Sequence, residues 1–82
     1  MLRITTNGAR LKLEGRLSGP WVGELERLVG AHPKSERLTF DLSGVTFVSR
    51  PGAQLLRRLS LRAALTGMPP FVVELLGAGG DL

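Results

Sequence analysis

The stretch of sequence that decides the fold is FDLSGVTFVSRPGAQLL, which covers residues 40–56. Apolar and polar side chains alternate over residues 38–42, up to and into the start of this stretch, which is typical of a β-strand near 37–42. The pair Ser43-Gly44 predicts a turn, and a short apolar run follows it. Ser49 can then cap a helix, and a proline suits its first turn because the first N–H groups of a helix have no partner. The stretch therefore predicts a strand, a turn and a helix that begins near 51–52.

A β-hairpin is predicted upstream of this stretch. Apolar and polar residues alternate over 2–6 and again over 9–14. Asn7-Gly8 lies between the two runs, and this dipeptide favours the tight turn that joins antiparallel strands. We therefore expect two antiparallel strands in the same sheet as the strand near 37–42.

An amphipathic helix is predicted between the hairpin and the third strand. Ser18-Gly19-Pro20 has the composition of a helix start, and Gly30 and Pro33 are typical of a helix end. The apolar residues between these signals recur with the period of one helical face; they are Trp21, Val22, Leu25, Leu28 and Val29. Trp21 is interpreted as a core residue, although a partly exposed tryptophan here would be a natural binding hot spot.

Three segments of the chain resemble the STAS domain family, the family of the anti-sigma factor antagonists. DLSGVTFVSRPG at 41–52 is similar to the family hallmark D-L-S-x-V-x-F-[IV]-D-[ST]-[SA]-G, which a helix follows. LKLEGRL at 11–17 resembles an early family strand that ends in G-x-L/I, and MPPFVVELL at 68–76 resembles the closing helix motif S-P-x-V-x-x-L-L. This resemblance covers most of the chain. It implies a single STAS-like domain over 1–82, of α/β class, with a four- to five-stranded mixed sheet and two or three helices packed on one face.

The chain after the second helix has two interpretations. The segment 61–65 has helical propensity and could prolong the second helix to Gly67. The resemblance instead implies a short strand at 62–66, which we favour. A last helix is predicted from the apolar residues of 71–76, stopped by the glycine-rich segment 77–80, and the tail through Leu82 is expected to fray.

The resemblance also implies a docking surface around the start of the second helix, which in the family contacts a kinase-like anti-sigma factor. Mapped onto this sequence, that partner-binding surface consists of Thr46, Ser49, Arg50, Pro51, Gly52 and Gln54, with Arg57 and Arg58 beside it. Arg50 would supply a guanidinium that can pair bidentately with a carboxylate of the partner.

The phosphorylation switch of the regulated family members is contradicted by this sequence. In those members an aspartate is followed by a small polar residue and then by the usual phospho-acceptor, directly before the glycine. The matching residues here are Ser49, Arg50 and Pro51, and proline has no hydroxyl to phosphorylate. Ser49 is therefore interpreted as a structural N-cap, although a phosphate on it would be favoured by the helix N-terminus.

The charge of the chain is unevenly distributed, with a formal net charge of +4. The stretch between Asp41 and Glu74 has no acidic residue but contains four arginines: Arg50, Arg57, Arg58 and Arg62. They can be an ordinary solvated surface or a docking face for an acidic protein. Nucleic acid is a weaker interpretation, because no aromatic residues interleave to form a stacking platform. Since the leucines of the second helix should face inward, we expect the first three arginines to form an outward basic ridge.

Catalysis and metal binding have little support in the sequence. The single histidine, His32, lies in a connecting segment and is expected to be solvated, and no Ser/His/Asp set or metal-spaced cluster occurs. The absence of cysteine excludes disulfides. The start of the chain has no signal-peptide pattern, and no apolar run approaches the roughly 18 residues of a membrane helix. A cytoplasmic protein without cofactor, metal or membrane insertion is therefore expected.

The sequence thus predicts a non-enzymatic protein-interaction module that resembles a bacterial anti-sigma factor antagonist and acts in transcription regulation. One alternative is a STAS-like cytoplasmic accessory subunit of a transporter or other assembly, which would use the same surface. Another is a degenerate scaffold or enzyme-associated domain without a regulatory partner. A homodimer formed through an exposed sheet edge also stays open.

Overall fold

The computed structural model describes residues 2–32 and 37–80. Four strands and three helices follow one another along these residues: β1 (Leu2–Asn7), β2 (Arg10–Leu17), α1 (Pro20–Gly30), β3 (Leu38–Val48), α2 (Arg50–Ser60), β4 (Ala63–Thr66) and α3 (Pro70–Gly80). The strands form one sheet in the order β1-β2-β3-β4. β1 is antiparallel to β2, whereas β2, β3 and β4 are parallel to one another. The predicted α/β class, with a mixed four-stranded sheet, is confirmed.

The predicted hairpin and the predicted fourth strand are both present. Asn7 pairs with Arg10, which leaves Gly8 and Ala9 as a two-residue loop, and Gly8 has a φ of 63° that few other residues adopt. At the other edge, residues 63–66 pair with the start of β3 and do not prolong α2. Strand pairing therefore outweighs the helical propensity of this segment.

All three helices contribute to one core on a single face of the sheet. Along β2 the leucines are buried while Lys12 and Arg16 are exposed, so one face is covered and the other is open. The large side chains that are completely buried come from the sheet and from every helix: Leu11, Leu13, Leu17, Leu25, Phe40, Leu42, Leu56 and Val72. Burial of these side chains from water is the main stabilising contribution to the fold.

β3 is longer than predicted, because Ser43-Gly44 does not end it. The strand continues to Val48, and its pairing with β2 shifts register twice. After Leu42 its buried residues therefore recur at every third position instead of every second. Each shift places one extra residue in β3 relative to β2, as a β-bulge does. Gly44 lies against β2 so closely that a Cβ atom there would be 2.7 Å from Cγ of Glu14. The turn signal therefore marks a close approach between strands.

The last helix is also longer than predicted. It runs from Pro70 to Gly80, so the glycine-rich segment 77–80 does not stop it. A glycine in a helix costs only about 1 kcal/mol relative to alanine, far less than a proline, so glycines weaken a helix without forbidding it. Pro33 and the tail after Gly80, for which a helix end and fraying were predicted, lie outside the described residues.

The junction of β3 and α2 is held against the end of β2. The Ser49 N–H donates to the Leu17 carbonyl oxygen at 3.0 Å. Gly52 is buried beside it, where an added Cβ would lie 2.9 Å from the Leu17 oxygen and 3.2 Å from Cγ1 of Val48. Only a residue without a side chain fits at this position.

Two glycine substitutions should therefore have opposite effects on stability. Gly52→Ala should lower the free energy of unfolding by about 1–3 kcal/mol, because the new methyl group pushes α2 off the sheet. Gly23→Ala on α1 is the matched control: among the described residues, no atom outside its own stretch of helix lies within 4 Å of the Cβ position. Helix propensity should therefore raise stability by about 0.5–1 kcal/mol. Urea unfolding measures both changes. Equal stability of the two variants would contradict the close approach.

Candidate interaction surface

Ser49 is the N-cap of α2, as predicted. Its Oγ accepts a hydrogen bond from the Gly52 N–H at 3.2 Å, and its own backbone is extended. Pro51 occupies the first turn, where it displaces no helical hydrogen bond. No acidic residue lies in that turn, so the partial positive charge of the helix start is not offset there.

Most of the predicted site residues lie together at this helix start. Thr46, Arg50, Pro51 and Gln54 are exposed around the half-buried Ser49. A shallow groove runs beside them between the end of β3, α2 and α3; its lining residues are Val48, Ser49, Arg50, Ala53, Gln54, Arg57 and Leu75. Gly52 is the exception, since it is buried against Leu17, and its role is packing.

Arg57 is half-buried and not fully outward as the predicted ridge requires. Its guanidinium donates to the Leu75 carbonyl oxygen at 3.1 Å and thereby links α2 to α3. The Nε atom of Arg57 is buried and has no hydrogen-bond partner among the described residues. Arg57 is therefore committed to internal packing and is poorly available to a partner.

Arg58 is exposed but paired. Its guanidinium lies 3.1 Å from Oε2 of Glu26 and so links α2 to α1, on the other side from Arg57. Both side chains are more than half exposed, and an ion pair of this kind contributes about 0–1 kcal/mol. Arg50, by contrast, makes no hydrogen bond or ion pair within the ranges 2–32 and 37–80. The expected ridge thus reduces to one unpaired arginine.

An apolar groove next to this surface was not predicted. It is lined by Thr46, Phe47, Val48, Phe71, Glu74 and Leu75. Phe71 and Leu75 belong to the apolar residues from which the last helix was predicted, yet they are exposed, and among 71–76 only Val72 is fully buried. The signal was present in the composition of 71–76, which has more apolar residues than one helical face can bury.

The remaining candidate residues are structural in the described part of the chain. Nδ1 of His32 lies 3.0 Å from the Leu28 carbonyl oxygen, so this histidine packs at the end of α1 and is not simply solvated. Trp21 is half-buried and packs against the core, which lies between the two interpretations given for it. Residues 2–32 and 37–80 contain no group of three His, Cys, Asp or Glu side chains placed to hold a metal ion. Their helices are all too short or too polar to cross a membrane.

Comparison with known proteins adds no assignment. No protein family model matches the chain, and no curated protein matches it significantly. The residues at the start of α2 and in the adjacent groove are therefore the basis for inferring what the protein does.

The N-cap can be tested by substitution at Ser49. Ser49→Ala should lower the free energy of unfolding by about 1 kcal/mol, because the Gly52 N–H loses its acceptor. Ser49→Asp should leave stability nearly unchanged, since aspartate caps a helix as well as serine does. Urea unfolding of the two variants checks this, and equal loss in both would argue against the capping role.

Proposed function

We propose that this protein is a non-enzymatic protein-interaction module that acts like an anti-sigma factor antagonist in the bacterial cytoplasm. The observation that supports this best is the unpaired, exposed Arg50 at a capped helix start. It lines one groove with exposed Gln54, and exposed Thr46 lines the adjacent groove; the resemblance to STAS domains maps all three to the docking surface. The partner in this proposal is a kinase-like anti-sigma factor.

The electrostatics of the surface favour an acidic partner. Arg50 follows the N-cap, where the helix dipole also places partial positive charge, and both attract a carboxylate. A guanidinium presents two parallel N–H groups to a carboxylate, so the contact would be directional as well as attractive. Arg58 can join by exchanging Glu26 for a partner group, because its present ion pair is exposed and weak.

The proposed module is not switched at the usual position. Pro51 has no hydroxyl, and the Oγ of Ser49 is occupied as the acceptor for the Gly52 N–H. A phosphate on Ser49 would itself be favoured by the helix N-terminus, but Ser49 does not hold the usual acceptor position. Regulation by a charge change at this helix start would therefore need a different residue from the one that the family uses.

Reversal of the charge at Arg50 tests the proposed surface. Arg50→Glu should weaken capture of a kinase-like ATPase from native lysate at least about tenfold, because attraction to an acidic face becomes repulsion. Arg62→Glu is the matched control, since Arg62 is exposed near the opposite end of α2. Capture by the unmodified chain should also fall as salt rises from about 0.05 to 0.5 M.

The proposal is contradicted if Arg50→Glu folds normally and captures the same proteins as Arg62→Glu does, at low and at high salt. The arginines are then ordinary solvated surface. Unfolding curves of both variants confirm the fold, and they should match the unmodified chain within about 0.5 kcal/mol because both sites are exposed.

Phosphorylation provides an independent test of the missing switch. After incubation with ATP and kinases of the anti-sigma type, mass spectrometry should find no stoichiometric phosphate on residues 49–52, because the acceptor position is proline. The variant Pro51→Ser restores a hydroxyl at that position and serves as the comparison. High occupancy of phosphate on Ser49 in the unmodified chain would restore the switch and contradict this part of the proposal.

A further inference from the structure

One side of β3 is a partly open sheet edge. β4 pairs only with Leu38–Asp41, whereas β3 continues to Val48. Over the described ranges 2–32 and 37–80, no strand pairs with the β4 side of residues 42–48. An open edge offers backbone N–H and C=O groups with which a strand from another chain can pair.

The edge opens where Asp41 ends the pairing with β4. Oδ1 of Asp41 accepts the Ser43 N–H at 3.0 Å, and this hydrogen bond lowers the pKa of the Asp41 carboxyl. The chain turns away at Gly67 with a φ of 61°, and a Cβ there would lie 2.8 Å from the same oxygen. The carboxylate thus closes the first part of the edge and leaves residues 44–48 open.

α3 forms a wall that faces this open edge. The apolar groove between them has a volume of about 580 Å³, within the usual range for a binding cleft. Phe47, Phe71 and Leu75 are 42%, 37% and 39% exposed there, which is unusual for three neighbouring large apolar side chains. Strand addition uses this combination, because main-chain hydrogen bonds give affinity and pockets for alternate side chains give specificity.

We propose that an extended acidic segment of a protein partner adds to residues 44–48 of β3 as a fifth strand. Its alternate apolar side chains pack against Phe71 and Leu75 on α3. This inference rests on the proposed function and names the kind of segment that the partner supplies. Its site is the open edge of β3, next to the start of α2; Val48 and Leu75 line both grooves.

Charge selects an acidic segment as the occupant. The Arg16 guanidinium lies 4.8 Å from the centroid of the Phe47 ring, and Arg50 follows the end of the strand. Both arginines flank the groove on its β3 side, and the only charged residue that lines it is Glu74, on the α3 side. Acidic side chains at the β3 side of the segment would therefore be attracted to the flanking arginines, while an uncharged or basic residue is required opposite Glu74.

A second copy of this chain fits the edge less well. The chain carries a formal net charge of +4, and a twofold contact brings the same surface patch of both copies together. Each copy would bring its own net positive charge to the contact, and like charges repel. The edge therefore favours a partner of opposite charge over self-association.

This inference can be tested by selecting random displayed peptides that bind the full chain. Each peptide is about 12 residues long, or two strand lengths. Retained peptides should carry apolar residues at every second position with Asp or Glu between them. Binding of the best peptide should protect backbone amides of 44–48 from hydrogen exchange. In an added strand, every second backbone amide of the peptide points toward β3. N-methylation of that set should weaken binding about tenfold, and methylation of the other set should not.

Two variants of α3 locate the binding wall. Phe71→Ser should weaken binding of the selected peptide about tenfold, because it removes an apolar anchor from the groove. Val73→Ser is the matched control: Val73 is 51% exposed on the same helix but does not line the groove. Equal effects of the two substitutions would contradict binding in the groove.

Other outcomes overturn the strand addition directly. They are a selection that retains no peptide, retained peptides with helical spacing, protection confined to β1 or β4, and protection of 44–48 by self-association in the absence of peptide. The test is separable from that of the proposed function. If a peptide binds at this edge but Arg50→Glu captures partners as the unmodified chain does, only the proposed surface at the start of α2 is rejected. If no peptide binds but Arg50→Glu loses capture, only strand addition is rejected.

Discussion

The structure depends on the contact between the start of α2 and the end of β2. One carbonyl oxygen, that of Leu17, accepts the Ser49 N–H and lies against the bare backbone of Gly52. The Ser49 side chain caps the helix at the same time, so both the position and the direction of α2 are fixed where it leaves the sheet. Arg50, between these two residues, is thereby turned toward solvent. The same contacts therefore pack α2 onto the sheet and hold Arg50 in an exposed position.

The local elements could be predicted from sequence where a short pattern carries enough information. Asn7-Gly8 specified the hairpin, and Ser49 followed by a proline specified the start of α2, because turn and cap chemistry involve only neighbouring residues. The bulges in β3 could not be predicted. The pair Ser43-Gly44 predicts a turn from sequence. Only the structure shows that Gly44 packs closely against Glu14 on the neighbouring strand. Strand register is long-range information that a local pattern does not contain.

The arginines show the same limit for the candidate site. The ridge predicted from the sequence contained Arg50 and Arg57, and both do line one groove. The spacing did not show that Leu75 on α3 would accept a hydrogen bond from Arg57, or that Glu26 on α1 would pair with Arg58. These partners come from distant segments, so sequence spacing could not show that Arg57 is tied to α3 or that the charge of Arg58 is offset by Glu26. Of the three arginines in the predicted ridge, only Arg50 has no such contact, which makes the proposed contact more local than a basic ridge.

The two candidate surfaces are adjacent, and this adjacency has an energetic consequence. Val48 and Leu75 line both the groove at the start of α2 and the groove beside the open edge of β3. A partner held at Arg50 would present any attached extended segment to the edge at a high effective concentration, so the second contact would cost little additional translational entropy. Each contact alone can then be weak. A domain of 82 residues has little surface to devote to one large interface, and two small linked contacts are a physically economical way for it to hold a specific partner.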